Sequence, residues 1–119
     1  MDINYDGKIF RSAENAPNGE VDARTTFRYH QQDQIVWAEY SGGKIRRGQM
    51  IGVVLPDGRL EFRYQHINEA NEIMTGICLS TPEILPDGRM QLREEWQWTC
   101  ADFSSGESIV EEMLVLNLN

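Results

Sequence analysis

Residues 50–66 read MIGVVLPDGRLEFRYQH, and residues 85–90 repeat the turn at its centre as LPDGRM. In both copies proline fixes a φ near −65°, and the glycine two positions later accepts the positive φ of a type I turn closed by a bulge. Apolar and polar side chains alternate after each turn, as they do in a strand with one buried face. These stretches predict two successive β-hairpins.

Further turn signals divide the rest of the chain in the same way. Asn18-Gly19, Ser41–Gly43 and Ser104–Gly106 separate segments rich in Val, Ile, Thr and aromatic residues. This spacing predicts a single all-β domain over residues 1–119: an antiparallel up-and-down meander of about eight strands closed into a small calycin-like (lipocalin-like) barrel, with a β-roll or sandwich as the alternative. The expected strands are 8–12, 25–31, 34–40, 44–55, 59–68, 73–85, 89–99 and 108–116.

The last of these segments is ambiguous. Residues 107–116 read ESIVEEMLVL, which also fits an amphipathic helix capped by Ser105. We favour a strand, because an open meander needs its edge strand covered.

The turns also predict which side chains face the interior, because residues opposite each other on paired strands share a face. In the first Pro-Asp-Gly hairpin the expected interior residues are Leu60, Phe62, Tyr64 and His66, which lie opposite Val54, Gly52, Met50 and Gly48. In the second hairpin they are Met90, Leu92, Glu94, Trp96 and Trp98, which lie opposite Ile84, Pro82, Ser80, Cys78 and Gly76. A two-residue turn at Gly42-Gly43 would place Glu39 opposite Arg46. It would also direct Trp37 inwards.

This orientation defines a candidate ligand-binding site, which consists of Glu39, Arg46, Tyr64, His66, Glu94, Trp96 and Trp98. Aromatic walls with a few polar groups are typical of pockets for small organic molecules. Arg46 and Tyr64 would both donate hydrogen bonds to a ligand carboxylate. In the alternative interpretation the barrel is filled by its own side chains, with Glu39 paired with Arg46, and Glu94 with Arg46 or His66.

Signals for catalysis or metal binding are weak. His66 and Glu94 are candidates for an acid–base pair. The two histidines and two cysteines lack the spacing of metal ligands, so we expect neither a metal nor another cofactor.

The composition restricts the partners. Nineteen acidic and eleven basic side chains give a net charge of −8, which disfavours binding to nucleic acid or to anionic membranes. No apolar run approaches the roughly 20 residues that span a bilayer. The first residues lack the features of a signal peptide, and two cysteines do not form a disulfide framework. We expect a cytoplasmic monomer or homodimer with free thiols.

Six segments of the chain resemble, in the same order, a small bacterial family of stand-alone proteins often labelled N-acetylglutamate synthase. They are Tyr40–Gly43, Arg63–Asn68, Met74–Cys78, Ser80–Gly88, Glu95–Thr99 and Gly106–Glu112. The resemblance implies that activity but assigns no catalytic residue.

Three functions follow from these observations. The leading prediction is the binding of a small organic molecule in the barrel. The first alternative is an enzyme, either the synthase that the resemblance implies or one that uses His66 and Glu94. The sequence contains no glycine-rich loop between a strand and a helix, where acetyltransferases bind the pyrophosphate of acetyl-CoA. The second alternative is an interaction protein with a filled barrel.

Overall fold

The structure, a computed structural model, describes residues 3–114 and shows a closed antiparallel β-barrel. Its strands are β1 (Ile9–Glu14), β2 (Thr26–Gln32), β3 (Ile35–Gly42), β4 (Ile45–Val54), β5 (Leu60–Asn68), β6 (Ile73–Ile84), β7 (Met90–Trp98) and β8 (Ser105–Glu112). Each strand pairs with the next, and β8 pairs with β1. The predicted calycin-type barrel is confirmed, and the β-roll or sandwich alternative is wrong. No helix in residues 3–114 is long and apolar enough to cross a membrane.

The two Pro-Asp-Gly hairpins have the predicted register. In the first, Phe62 lies opposite Gly52, and in the second, Trp96 lies opposite Cys78. The two turns are alike in detail, since Gly58 and Gly88 have φ values of 90° and 89°. These hairpins form β4–β5 and β6–β7, half of the barrel wall.

The predicted orientation of β3 is wrong. The turn before β4 consists of residues 43–44 rather than Gly42-Gly43, and β4 carries an extra residue at positions 46–47 relative to both β3 and β5. Tyr40 consequently lies opposite Gly48, whereas the prediction placed Trp37 there. An odd shift in register reverses the faces of a strand.

In β3 the interior and exterior residues are therefore exchanged relative to the prediction. Val36, Ala38 and Tyr40 are buried in the barrel, whereas Trp37 and Glu39 face outwards. Gly42, at the end of β3, fits against the loop before β2, where its carbonyl accepts a hydrogen bond from the Thr25 hydroxyl at 3.1 Å. A side chain at position 42 would collide with the backbone carbonyl of Arg24.

The C-terminal segment is a strand, as predicted, and the helix alternative is wrong. β8 begins at Ser105, three residues before the predicted start, and pairs with both β7 and β1. Residues 115–116 of the predicted strand lie outside the described part of the chain. Pairing on both sides is what closes the barrel.

One end of the barrel is packed with side chains. Phe10, Tyr29, Leu60 and Leu92 are almost completely buried there. The segment before β1 covers this end, and the hydroxyl of its Tyr5 donates a hydrogen bond to the carbonyl of Gly58 at 2.9 Å. This end is therefore closed.

Towards the other end, large aromatic rings lie across glycines of the neighbouring strand. The cross-strand pairs are Tyr40–Gly48, Phe62–Gly52, Tyr64–Gly76 and Trp96–Gly106. A Cβ atom at Gly48, Gly76 or Gly106 would overlap the ring of its partner, whereas at Gly52 it would meet the carbonyl of Glu61 and the Cα and Cβ of Phe62. Three glycines thus make room for bulky rings inside one small barrel.

The pair Tyr64–Gly76 offers a direct test of this packing. A methyl group at position 76 would meet only the Tyr64 ring, so we expect Gly76→Ala to lower the free energy of unfolding by about 1–3 kcal/mol, as overpacking does. In a Tyr64→Ala background the same substitution should cost less than about 0.5 kcal/mol, because the obstacle is gone. Denaturant unfolding of the four proteins measures this coupling. Equal costs in both backgrounds would contradict it.

Candidate functional site

A cavity occupies the end of the barrel opposite Tyr5. Its enclosed volume is small, about 60 Å³, and the space reaches about 550 Å³ when the open mouth is included. Six aromatic side chains contribute to its wall: Phe27, Tyr40, Phe62, Tyr64, Trp96 and Trp98. Their strands position them, because every second residue of a strand faces the interior. The result is a deep, mainly apolar pocket.

The floor of the cavity is polar. Glu94 lies in the middle of β7, directly opposite Ser80 of β6 and Ser108 of β8. Both hydroxyls donate hydrogen bonds to its carboxyl group, at 3.0 and 3.5 Å, and the Cys78 thiol lies 3.9 Å from it. Glu94 is only 8% exposed. Three strands therefore hold this carboxyl group in one place.

The Glu94 carboxyl has no counter-charge. Within residues 3–114 no Lys, Arg or His nitrogen lies within ion-pair distance of it. Burial disfavours the ionised form and raises the pKa of Glu94 to about 7, although the hydrogen bonds from Ser80, Ser108 and Cys78 act in the opposite direction. Near neutral pH the carboxyl is thus poised between its two protonation states.

A chain of hydrogen bonds links one wall of the cavity to the loop above it. The Tyr40 hydroxyl lies 2.9 Å from Nδ1 of His66, and Nε2 of His66 lies 2.7 Å from a carboxylate oxygen of Glu20. The other oxygen of Glu20 accepts a hydrogen bond from the Asn68 amide at 2.9 Å. Burial lowers the pKa of His66 more than Glu20 raises it. A neutral ring can accept from Tyr40 and donate to Glu20.

The loop between β1 and β2, residues 15–25, partly covers the mouth of the cavity. Several of its residues line the cavity, Glu20 among them. The carbonyl of Asn18 accepts a hydrogen bond from the Trp98 indole at 3.0 Å, and its side-chain amide donates to the backbone carbonyl of Ser105. The loop is therefore attached to both β7 and β8, and through Glu20 to β5.

Trp96 and Tyr64 present unused polar groups. The Trp96 ring packs edge-on against Trp98 with centroids 5.6 Å apart, and Trp98 packs similarly against Tyr64 at 5.8 Å. Neither the Tyr64 hydroxyl nor the Trp96 indole N–H has a hydrogen-bond partner among the described residues, and both side chains are half-buried. A bound molecule could accept hydrogen bonds from both.

The structure places five of the seven predicted site residues around the cavity: Tyr64, His66, Glu94, Trp96 and Trp98. The predicted inward orientation of Glu39 is wrong, since Glu39 is exposed and pairs with His30 at 2.7 Å. Arg46 is also exposed and contacts Asn71. Both errors follow from the misplaced turn before β4 and its bulges.

The predicted polar pairings differ as well. His66 is hydrogen-bonded to Tyr40 and Glu20 rather than to Glu94, so the expected acid–base pair does not form. Tyr40 was missed because of the register error in β3. Glu20 was missed because it lies in a loop whose sequence, AENAPNGEVD at residues 13–22, carries no periodic signal.

An eight-stranded up-and-down barrel with a cavity at one end defines a calycin-type barrel with room for one small ligand. A family model described as avidin-like protein matches residues 3–113, so the chain belongs to the avidin-like family. No curated protein matches it. The family overturns the resemblance to N-acetylglutamate synthases, because that activity belongs to mixed α/β acetyltransferases and this chain is a β-barrel.

The buried carboxyl group predicts a pH-dependent stability. The folded-state pKa of Glu94 is about 7, above the ordinary 4.5, so the folded protein retains a proton that the unfolded chain releases. This contribution is fully present below pH 4.5 and is lost as the pH rises through 7. Between pH 4.5 and 8 we expect the wild type to lose about 3 kcal/mol more stability than Glu94→Gln. Parallel pH profiles of the two proteins would refute this.

The contacts of Glu20 predict a second effect, on the loop. Glu20→Ala removes two hydrogen bonds from a carboxylate, each worth about 1.5–3 kcal/mol. We therefore expect amide hydrogen exchange in residues 15–25 to become at least about tenfold faster, while exchange in the packed end stays unchanged. Glu69→Ala, which removes an exposed carboxylate on the β5–β6 loop, is the control. Equal exchange in both variants would mean that Glu20 does not hold the loop.

Proposed function

We propose that the protein binds a small organic molecule in the cavity of the barrel. The observation that carries this proposal is the contrast between the two ends of the same barrel. One end is filled by fully buried side chains such as Phe10 and Leu60. The other is open, and its aromatic side chains surround a cavity instead of filling the barrel.

The chemistry of the cavity supports the same proposal. Aromatic walls gain free energy when they bury an apolar ligand, and a few fixed polar groups orient it. Glu94 on the floor, and Tyr64 and Trp96 on the wall, offer such groups. Membership of the avidin-like family adds a first probe, since biotin is the ligand of streptavidin. We leave the identity of the natural ligand to experiment.

The loop of residues 15–25 is part of this proposal. Because it lies over the mouth and is held by Glu20, it would have to move for a ligand to enter and leave. A closed loop would also exclude water from the bound molecule, which strengthens the polar contacts inside. The cytoplasmic location predicted from the sequence is likewise a proposal, supported by the free thiols of Cys78 and Cys100.

The three tryptophans provide a test of binding. Trp96 and Trp98 face the cavity, whereas Trp37 lies on the outer surface. We expect a ligand in the cavity to change the tryptophan fluorescence of the wild type and of Trp37→Phe. The change should be reduced in Trp96→Phe and largely lost when Trp98 is replaced by Phe as well. A response that depends on Trp37 instead would place binding on the outer surface.

Native mass spectrometry of protein purified gently from its own host complements the titration. An additional non-covalent mass of a few hundred daltons or less, that of one small organic molecule, is the expected result. The denatured spectrum of the same sample is the control. A bare native mass, together with no fluorescence response to biotin or to a panel of small organic molecules, would contradict the proposed function.

A further inference from the structure

We propose that the ligand is an organic cation, a protonated amine on an apolar body, whose charged nitrogen lies against Glu94 and whose body lies among the aromatic rings. This inference rests on the proposed function and specifies the ligand class of the same cavity. The sequence suggested a ligand carboxylate bound by Arg46 and Tyr64. The structure does not support that ligand, because Arg46 lies outside the barrel.

The charges around the cavity favour a cation. Two carboxyl groups, those of Glu20 and Glu94, line it, and none of the lining residues within 3–114 is Lys or Arg. The remaining lining group able to carry a positive charge, His66, is buried and held neutral near physiological pH. An anionic ligand would bring a further negative charge into a cavity with no Lys or Arg among its described lining residues, which is costly. A cation would instead supply the missing counter-charge.

Glu94 rather than Glu20 is the partner for that cation. Both oxygens of Glu20 are engaged, one with His66 and one with Asn68. Glu94 accepts only from hydroxyl and thiol groups, and the bond from Ser108 is long at 3.5 Å. Glu94 also lies on the floor, where a ligand is most completely removed from water. A charged N–H donor there would form a strong, charge-assisted hydrogen bond.

The aromatic wall supports the same class of ligand. The faces of Trp, Tyr and Phe rings attract cations, and several rings around one site form the cage that recognises alkylammonium groups. The rings of Tyr64, Trp96 and Trp98 are packed edge to face along this wall. A neutral apolar ligand would also gain binding free energy from contact with these rings. The charge of the ligand, not its ring contacts, therefore distinguishes a cationic ligand from a neutral one.

Six titratable groups face Glu94 from the other elements. They are Tyr29 of β2, Tyr40 of β3, Tyr64 and His66 of β5, Cys78 of β6 and, from the loop, Glu20. Burial raises the pKa values of the tyrosines and of Cys78, so they stay neutral, and it lowers that of His66. A change in ligand affinity between pH 6 and 8 is therefore assigned to Glu94 only where Glu94→Gln removes it.

Three probes share the same phenylpropyl group and differ in the charge of their end group: 3-phenylpropylamine, 3-phenylpropanol and 3-phenylpropanoate. Comparing their affinities distinguishes the effect of the charge from that of the apolar contacts. At pH 8 we expect calorimetric titration to show that the amine binds at least about tenfold more tightly than the alcohol, with the acid weakest. The amine should bind about tenfold more weakly at pH 6, where about a tenth of Glu94 is ionised. Binding of the alcohol should not change with pH.

Glu94→Gln should reduce the affinity for the amine to that for the alcohol and remove its pH dependence. Glu95→Gln, the same change on the outer face of β7, should leave both intact. If the alcohol or the acid binds the wild type as tightly as the amine, the ligand class is wrong while the binding function stands. If none of the three binds and the native mass is bare, both proposals fail.

Discussion

The interior of an eight-stranded barrel is just wide enough for side chains to fill it, and this limit on space governs the whole molecule. Three large rings, those of Tyr40, Tyr64 and Trp96, fit inside because a glycine lies opposite each of them on the next strand. Where the segment before β1 covers the barrel, side chains such as Phe10, Tyr29 and Leu60 fill the interior. Towards the other end a cavity remains among the rings. The position of the cavity therefore follows from which interior positions carry large side chains and which carry glycine.

The same cavity holds a buried carboxyl group with no counter-charge among residues 3–114. This group at the floor costs free energy when ionised, and the hydroxyls of Ser80 and Ser108 offset only part of that cost. Buried groups with displaced pKa values are frequent at functional sites, and Glu94 is such a group.

Much of the fold could be predicted from the sequence, because local signals determine it. The two Pro-Asp-Gly turns fix the register of β4–β5 and β6–β7, and with it the inward orientation of Tyr64, His66, Glu94 and both cavity tryptophans. The turn before β4 was misjudged because two adjacent glycines permit several turns, and its bulges depend on contacts with residues 24–25. The role of Glu20 depends on tertiary contacts alone, 46 residues away from His66, and no local pattern reveals it.

The pairing of β1 with β8 has a consequence for the order of folding. Seven of the eight strand pairings in the described chain join neighbours in sequence, and six of these seven close on loops of two to six residues. The eighth joins Phe10 to Glu112 across almost the entire chain, so the entropic cost of closing its loop is the largest. The loop that partly covers the cavity follows β1, and Ser108 and Gly106 come from β8. Most hairpins of this barrel thus form from local stretches of sequence, whereas the cavity is complete only after the two ends of the chain have met.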